Sequence, residues 1–241
     1  MTDVPPPTRA GHLAALNELG GYFALPVRPA SESRCLSDFF DDAVLTGHVD
    51  RTRAAIAASA DCPPDRIPVR MAASSFQLGV AARLLSPVIG GALCVGAVPV
   101  LDRESVRWIP TDGHAPQFAV ADPAWQTVEP GTSAEVIAAS VIPVLTELGA
   151  RLNTLVSLSA RITLGNLTSA INGAVTVLAL SRPQLEGSGR ALVRALLASG
   201  PLSGTGSFVA GMFRRQSCCL YYQAPRSGLC GDCVLVPEAA P

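Results

Sequence analysis

Residues 162 to 181, ITLGNLTSAINGAVTVLALS, run for twenty positions without a charge. A second uncharged run, LLSPVIGGALCVGAVPVL, covers residues 84 to 101. Both approach the ~20 residues that span a bilayer, so each must be buried in protein or in lipid. Pro87, Gly90, Gly91, Gly96 and Pro99 interrupt the earlier run, while Asn166, Asn172 and several hydroxyls punctuate the later one. Backbone breaks and amides of this kind are costly in hydrocarbon, which favours helices buried in a protein core. No transmembrane span is expected, and peripheral association with a membrane surface is compatible with the pattern.

The composition says what such a core is made of. Hydrophobic residues are 49% of the 241, charged residues 15% and aromatics 5%, so Ala, Val, Leu and Ile must fill the interior, as in closely packed helices. Helices are predicted from Ala10 to Leu19, as one or two segments between Cys35 and Ala60, and over 69–94 with Pro87 kinking or dividing the last. The spacing of Val136, Ile137, Val141, Val144, Leu145 and Leu148 predicts a helix over 133–148 capped by Thr132 or Ser133. Another helix is read from Arg151, with the uncharged stretch running on to Leu180, and an amphipathic one over 190–199. VRWIP and PQFAVAD, residues 106–110 and 116–122, flank the turn TDGHA and predict a β-hairpin. The expected fold is α+β: a predominantly helical domain with a small central hairpin or sheet and a cysteine-rich C-terminal segment. Residues 1–203 would form the helix-rich scaffold and 204–241 the cysteine-bearing C-terminal segment of one integrated domain, with 204–211 as a Gly- and Ser-rich connection.

Several functions are disfavoured at this level. A net charge of -1 and a pI near 6.3 leave no basic field for nucleic acid. The G-x-G at 204–206 lacks a preceding strand and a third helix-opening glycine, and no P-loop, nucleophile elbow or HExxH occurs, so the chain offers no flavin or nicotinamide site of its own. His12, His48 and His114 stand singly and read as structural. Cys35, Cys62 and Cys94 read as ordinary thiols. The N-terminus lacks the basic start and apolar run of a secretory signal, which points to the cytoplasm, or to the inner face of the cell membrane. Clustered cysteines in that compartment are metal ligands or redox groups more often than disulfides.

Such a cluster closes the chain. FRRQSCCLYYQAPRSGLCGDC places Cys218, Cys219, Cys230 and Cys233 at the spacing C-C-x10-C-x2-C. Four thiolates suit either a structural zinc or a 2Fe-2S cluster, in which each iron takes two. The adjacent Cys218-Cys219 pair is awkward for zinc, which usually draws on two C-x2-C knuckles, and the spacing is not that of plant-type ferredoxins either. Zinc, cluster and dithiol all stay open on spacing alone.

The same string resembles the C-terminal signature of the ferric-siderophore reductases of the FhuF family. LGN at 164–166, after Arg161, is similar to that family's Trp-Gly-Asn segment with Leu164 replacing the tryptophan, and residues 81–99 resemble its actinobacterial branch. Gln223 and Val234 also depart from the family pattern. The resemblance spans roughly residues 70–236 and implies a 2Fe-2S cluster on the four cysteines. It further implies a one-electron oxidoreductase that reduces ferric siderophores in iron acquisition. Arg214, Arg215 and Arg226 flank the cysteines and would tune the cluster or attract an anionic chelate, unless they are merely solvated. Tyr221 and Tyr222 would shield the cluster or line the docking face. Asn166, in an apolar helix, would need buried partners, either on a neighbouring helix or on the cysteine segment. The alternatives are a zinc-stapled structural or binding protein and an iron–sulfur electron carrier or redox sensor.

Overall fold

The uncharged run beginning at Ile162 becomes a single helix, α6 (Ala160–Ser181), whose Ile162, Leu167, Ile171, Val175 and Leu178 are buried at helical spacing. The structure, a computed structural model, describes residues 8–129, 131–198 and 200–236. Among these residues the chain order is α1 (Arg9–Glu18), β1 (Arg34–Cys35), α2 (Leu36–Phe39), α3 (Asp42–Ser59), α4 (Val69–Gly90), β2 (Ala97–Pro99), β3 (Val106–Ile109), β4 (Gln117–Val120), β5 (Trp125–Thr127), α5 (Ser133–Val156), α6, α7 (Glu186–Leu197), β6 (Gly206–Val209) and β7 (Met212–Arg215). The architecture is α+β and predominantly helical.

Helices α4 and α6 form the central pair, with α3 and α5 packed on α4 and α7 on α6. Ala72, Ala73 and Ala81 of α4 are wholly buried, as is Ala174 of α6. Small side chains at such a contact let two helix backbones approach closely, the expected consequence of a composition poor in rings. Between them lies a polar layer of Ser74, Gln77, Thr163 and Asn166, each at most 3% exposed. By length and composition alone, α4 with its extension to Val95, α5 and α6 could each cross a membrane; here they bury half or more of those windows within the fold.

The central hairpin forms as expected, with β3 and β4 paired antiparallel from Val106↔Val120 to Ile109↔Gln117. The sequence did not suggest β1, which adds a third strand through Arg34↔Trp108, nor the separate β2–β5 pair. Pro87 does not divide α4, which continues to Gly90 and loosens only then into a π-helical turn over Gly91–Val95. No new helix starts at Arg151, because α5 runs unbroken to Val156 and ends where Ser157 takes a left-handed conformation. Gly149 costs a helix interior only about 1 kcal/mol, and the buried Leu148 and Leu152 on either side of it continue the apolar face. Helix α7 starts at Glu186, ahead of the expected 190.

The stretch 204–211 is also corrected. It is no loose connection but the first strand and turn of a hairpin, β6–β7, in which Phe208 faces Phe213 with ring centroids 5.7 Å apart. Ala210 and Gly211 both have positive φ, 49° and 83°, the geometry a two-residue turn needs to match strand twist. Arg194 of α7 lies over the Phe208 ring at 4.3 Å and fixes the hairpin to the helices.

The lone histidines are dispersed. His12 lies beside Trp125, His48 stacks on Phe76 among Phe39 and Trp108, and His114 borders a cavity described below.

Candidate metal centre

Strand β7 delivers the chain to Cys218 and Cys219, and the next residue sets the local geometry. Leu220 adopts φ 69°, a conformation that costs a side-chain-bearing residue about 1 kcal/mol or more. In that conformation its own N–H donates to Cys218 Sγ at 3.3 Å, and the following Tyr221 N–H donates to Cys219. At the far end of the loop, the Leu235 N–H donates to Cys233 Sγ at 3.3 Å. Backbone donors aimed at sulfur stabilise thiolate charge, and around a cluster they help set its potential.

All seven cysteines are free thiols. Cys219 and Cys233 are buried, Cys218 and Cys230 half-buried. The Cys219 and Cys230 sulfurs are 3.5 Å apart and share a hydrogen bond. That bond from Cys230 is the main reason the Cys219 thiol is drawn down to about 6; burial opposes the shift, and the Tyr221 N–H and the Arg215 charge assist it. Cys230 is pushed up by the same bond and by its own burial. Burial also raises Cys218, partly offset by the Leu220 N–H. Cys94 is raised by burial, while Cys35, which contacts Ser37, and Cys62 lie on other elements.

The helices grip this segment at separate points. Arg226 donates to the carbonyls of Ala60 and Asp61 at 2.6 and 2.8 Å, beyond the end of α3, and pairs with the Asp61 carboxylate. Arg161 of α6 donates to Gln216 O at 3.0 Å. Ser169 of α6 hydrogen-bonds the Asp232 carboxylate, and Arg214 donates to Val236 O at 2.8 Å. Arg214 and Arg226 are therefore straps on the loop. Arg215 differs, being 1% exposed and donating to Asn166 Oδ1 at 2.6 Å. Sequence reasoning grouped these three arginines and missed Ser169, Asp232 and Gln77; the LGN segment was the one signal that pointed toward this contact.

A cavity of about 470 Å³ opens beside the loop that joins the two cysteine pairs. Ile56 of α3, Phe76 and Arg83 of α4, His114 of the β3–β4 turn and Tyr221 and Arg226 of the loop line it. Tyr222 is exposed, and it is not among the lining residues.

Among the described residues no group of three His, Cys, Asp or Glu side chains is arranged to hold one metal ion. The thiols instead present one close pair, Cys219 and Cys230, with Cys218 and Cys233 near enough to interact electrostatically. Four thiols on one segment, two of them in contact, supply the two thiolates per iron that a binuclear iron–sulfur centre takes. The surrounding N–H donors and the buried Arg215 suit an anionic group. No curated protein matches the chain. Residues 215–235 match the family model of the FhuF 2Fe-2S C-terminal domain. The cysteine-bearing end of this chain is thus similar to the FhuF 2Fe-2S C-terminal domain, and a 2Fe-2S cluster is the cofactor this match supports.

Proposed function

We propose that Cys218, Cys219, Cys230 and Cys233 hold the 2Fe-2S cluster and that the protein reduces ferric siderophores in the cytoplasm, releasing ferrous iron. When bound, the cluster supplies one electron. Ferric iron is a hard ion that siderophore oxygens hold tightly, and the ferrous ion formed by adding that electron is held far less tightly. The electron enters from an external donor, so no group of this chain is consumed.

The observation that carries this reading is the position of the cavity. Tyr221 and Arg226 belong both to its wall and to the loop between Cys219 and Cys230, so a chelate seated there lies against the ligand-bearing segment. Arg83 places positive charge on that wall, favourable to an anionic chelate, whereas Arg226 there is paired with Asp61, and Phe76 and Ile56 offer an apolar floor. Burial holds Cys219 and Cys233 away from solvent and leaves Cys218 and Cys230 toward the outside, the side from which an electron can leave.

Anaerobically purified protein is expected to be coloured and to contain about two irons per chain, and to release trappable ferrous iron from ferric siderophores once reduced. Cys230→Ser abolishes stable cluster binding, and Cys94→Ser leaves it intact. Colourless protein with one zinc, or equal loss in both variants, overturns the ligand assignment. A loaded, reducible protein that releases no ferrous iron from any chelate tested is an electron carrier instead.

A further inference from the structure

Arg215 is among the largest side chains wholly removed from solvent, at 1% exposure. Among the described residues it takes part in no salt bridge. Its guanidinium donates to a neutral amide, Asn166 Oδ1, at 2.6 Å, and its Nε–H has no partner. Asn166 cannot turn away, because its Nδ2 donates to Ser74 O, Ser74 Oγ and Gln77 Oε1 at 2.8–3.1 Å, and Gln77 in turn donates to Thr163 O. Buried cations are normally paired, and an unpaired one is strongly penalised. The Asp232 carboxylate is engaged by Ser169, and Asp232 meets Arg215 through its backbone, where the Arg215 N–H donates to Asp232 O at 3.1 Å.

Arg215 and Ser217 converge on Gly165, where a Cβ would lie 2.2 Å from Ser217 Oγ and 3.2 Å from an Arg215 terminal nitrogen. Ser217 Oγ is also buried without a partner. Three and four residues beyond Arg215 come Cys218 and Cys219, both within its electrostatic reach.

We propose that Arg215 is the buried counter-cation of the cluster, a positioning residue held in place by the Asn166–Gln77–Ser74 layer between α4 and α6, and that it raises the cluster's reduction potential. The proposal rests on the ligand assignment above. A cluster bound by thiolates is anionic and becomes more so on gaining an electron, so a fixed positive charge favours the reduced state. Asn166 supplies a neutral acceptor, which orients the guanidinium without cancelling its charge, and this explains an amide where a carboxylate would pair better.

The test compares wild type with Arg215→Met and Asn166→Asp by spectroscopic redox titration of the iron-loaded proteins, with Arg214→Met as a surface control. Arg215→Met is expected to lower the midpoint potential by at least the about 59 mV that corresponds to a tenfold change in a one-electron equilibrium. Asn166→Asp lowers it too, although the arginine is still present, because a carboxylate now neutralises it; Arg214→Met shifts it much less. Thermal denaturation adds a sign test. Removing the charge leaves the cluster-free protein as stable or more so, since the uncompensated cation is gone, and destabilises the loaded one. Unchanged potentials in iron-loaded Arg215→Met and Asn166→Asp overturn the proposal, and a loss of stability in both cluster-free and loaded Arg215→Met makes the residue merely structural. Iron content below the expected ratio in wild type would instead count against the ligand assignment.

Discussion

Acid should unlock the wall of the cavity through one residue, His48. Its ring is 1% exposed and stacks at 12° on Phe76 with centroids 5.5 Å apart. Arg51 donates to Nδ1 at 3.0 Å, which requires the tautomer protonated at Nε2, and that Nε2 has no partner. Burial, reinforced by the Arg51 charge, lowers the imidazole from 6.5 to about 4. In the unfolded chain His48 binds its proton near pH 6.5, so below that pH the unfolded state takes up a proton that the folded state resists. The stability is fully present above pH 6.5, falls as pH drops toward 4, and levels off below it. Integrating that difference gives about 3 kcal/mol lost by pH 4, with a slope approaching 1.4 kcal/mol per pH unit.

The assay is urea denaturation of wild type and His48→Phe across pH 4 to 7. A phenyl ring fills the same aromatic site without a titrating nitrogen, at a cost of about 1 kcal/mol at neutral pH for the lost Arg51 bond. Acid sensitivity shared by both proteins, including that of the cluster, cancels in the difference. The two stability curves should converge or cross as pH falls, by about 3 kcal/mol in total. Parallel curves between pH 6.5 and 4, or an imidazole resonance titrating near its usual value in the folded protein, would refute the argument. The consequence for function is local: His48 sits on α3 and Phe76 on α4, the two helices that line the cavity.

Arg83→Ala should raise KM for anionic ferric chelates about fivefold, as expected for about 1 kcal/mol of charge-assisted contact at a partly solvated site, with kcat and the behaviour of neutral chelates little changed. Steady-state ferrous trapping checks it, and an equal loss for neutral chelates would contradict the electrostatic role. Asp41 accepts from the N–H groups of Ala43 and Val44 at 2.9 and 3.3 Å, so Asp41→Ala should cost about 1 kcal/mol through the lost cap of α3. Chemical denaturation at neutral pH measures this, and a change within experimental error would deny the cap its weight.

Uncharged runs and helical spacing were enough to foresee α4 and α6 as buried helices, because a twenty-residue apolar segment has few places to go. The central hairpin was readable too, since alternation and a turn signal are local properties. Boundaries and breaks were not: Arg151 looked like a new start, yet Leu148 and Leu152 keep α5 packed through Gly149. Nor does a Gly- and Ser-rich stretch reveal that Phe208 will meet Phe213 and turn it into a strand.

At the metal centre the division is sharper. Covalent order placed four thiols at C-C-x10-C-x2-C without choosing between zinc, cluster and dithiol, and the residues around them carry the family match at 215–235. Only the tertiary structure decided what the neighbours do. Arg214, Arg215 and Arg226 are alike as letters, but strand alternation turns Arg215 inward against Asn166, some fifty positions away in sequence, and Arg214 outward, while Arg226, in the loop, straps it to the end of α3. A charge's effect depends on its burial and its partners, and those are set by contacts between segments that are remote along the chain.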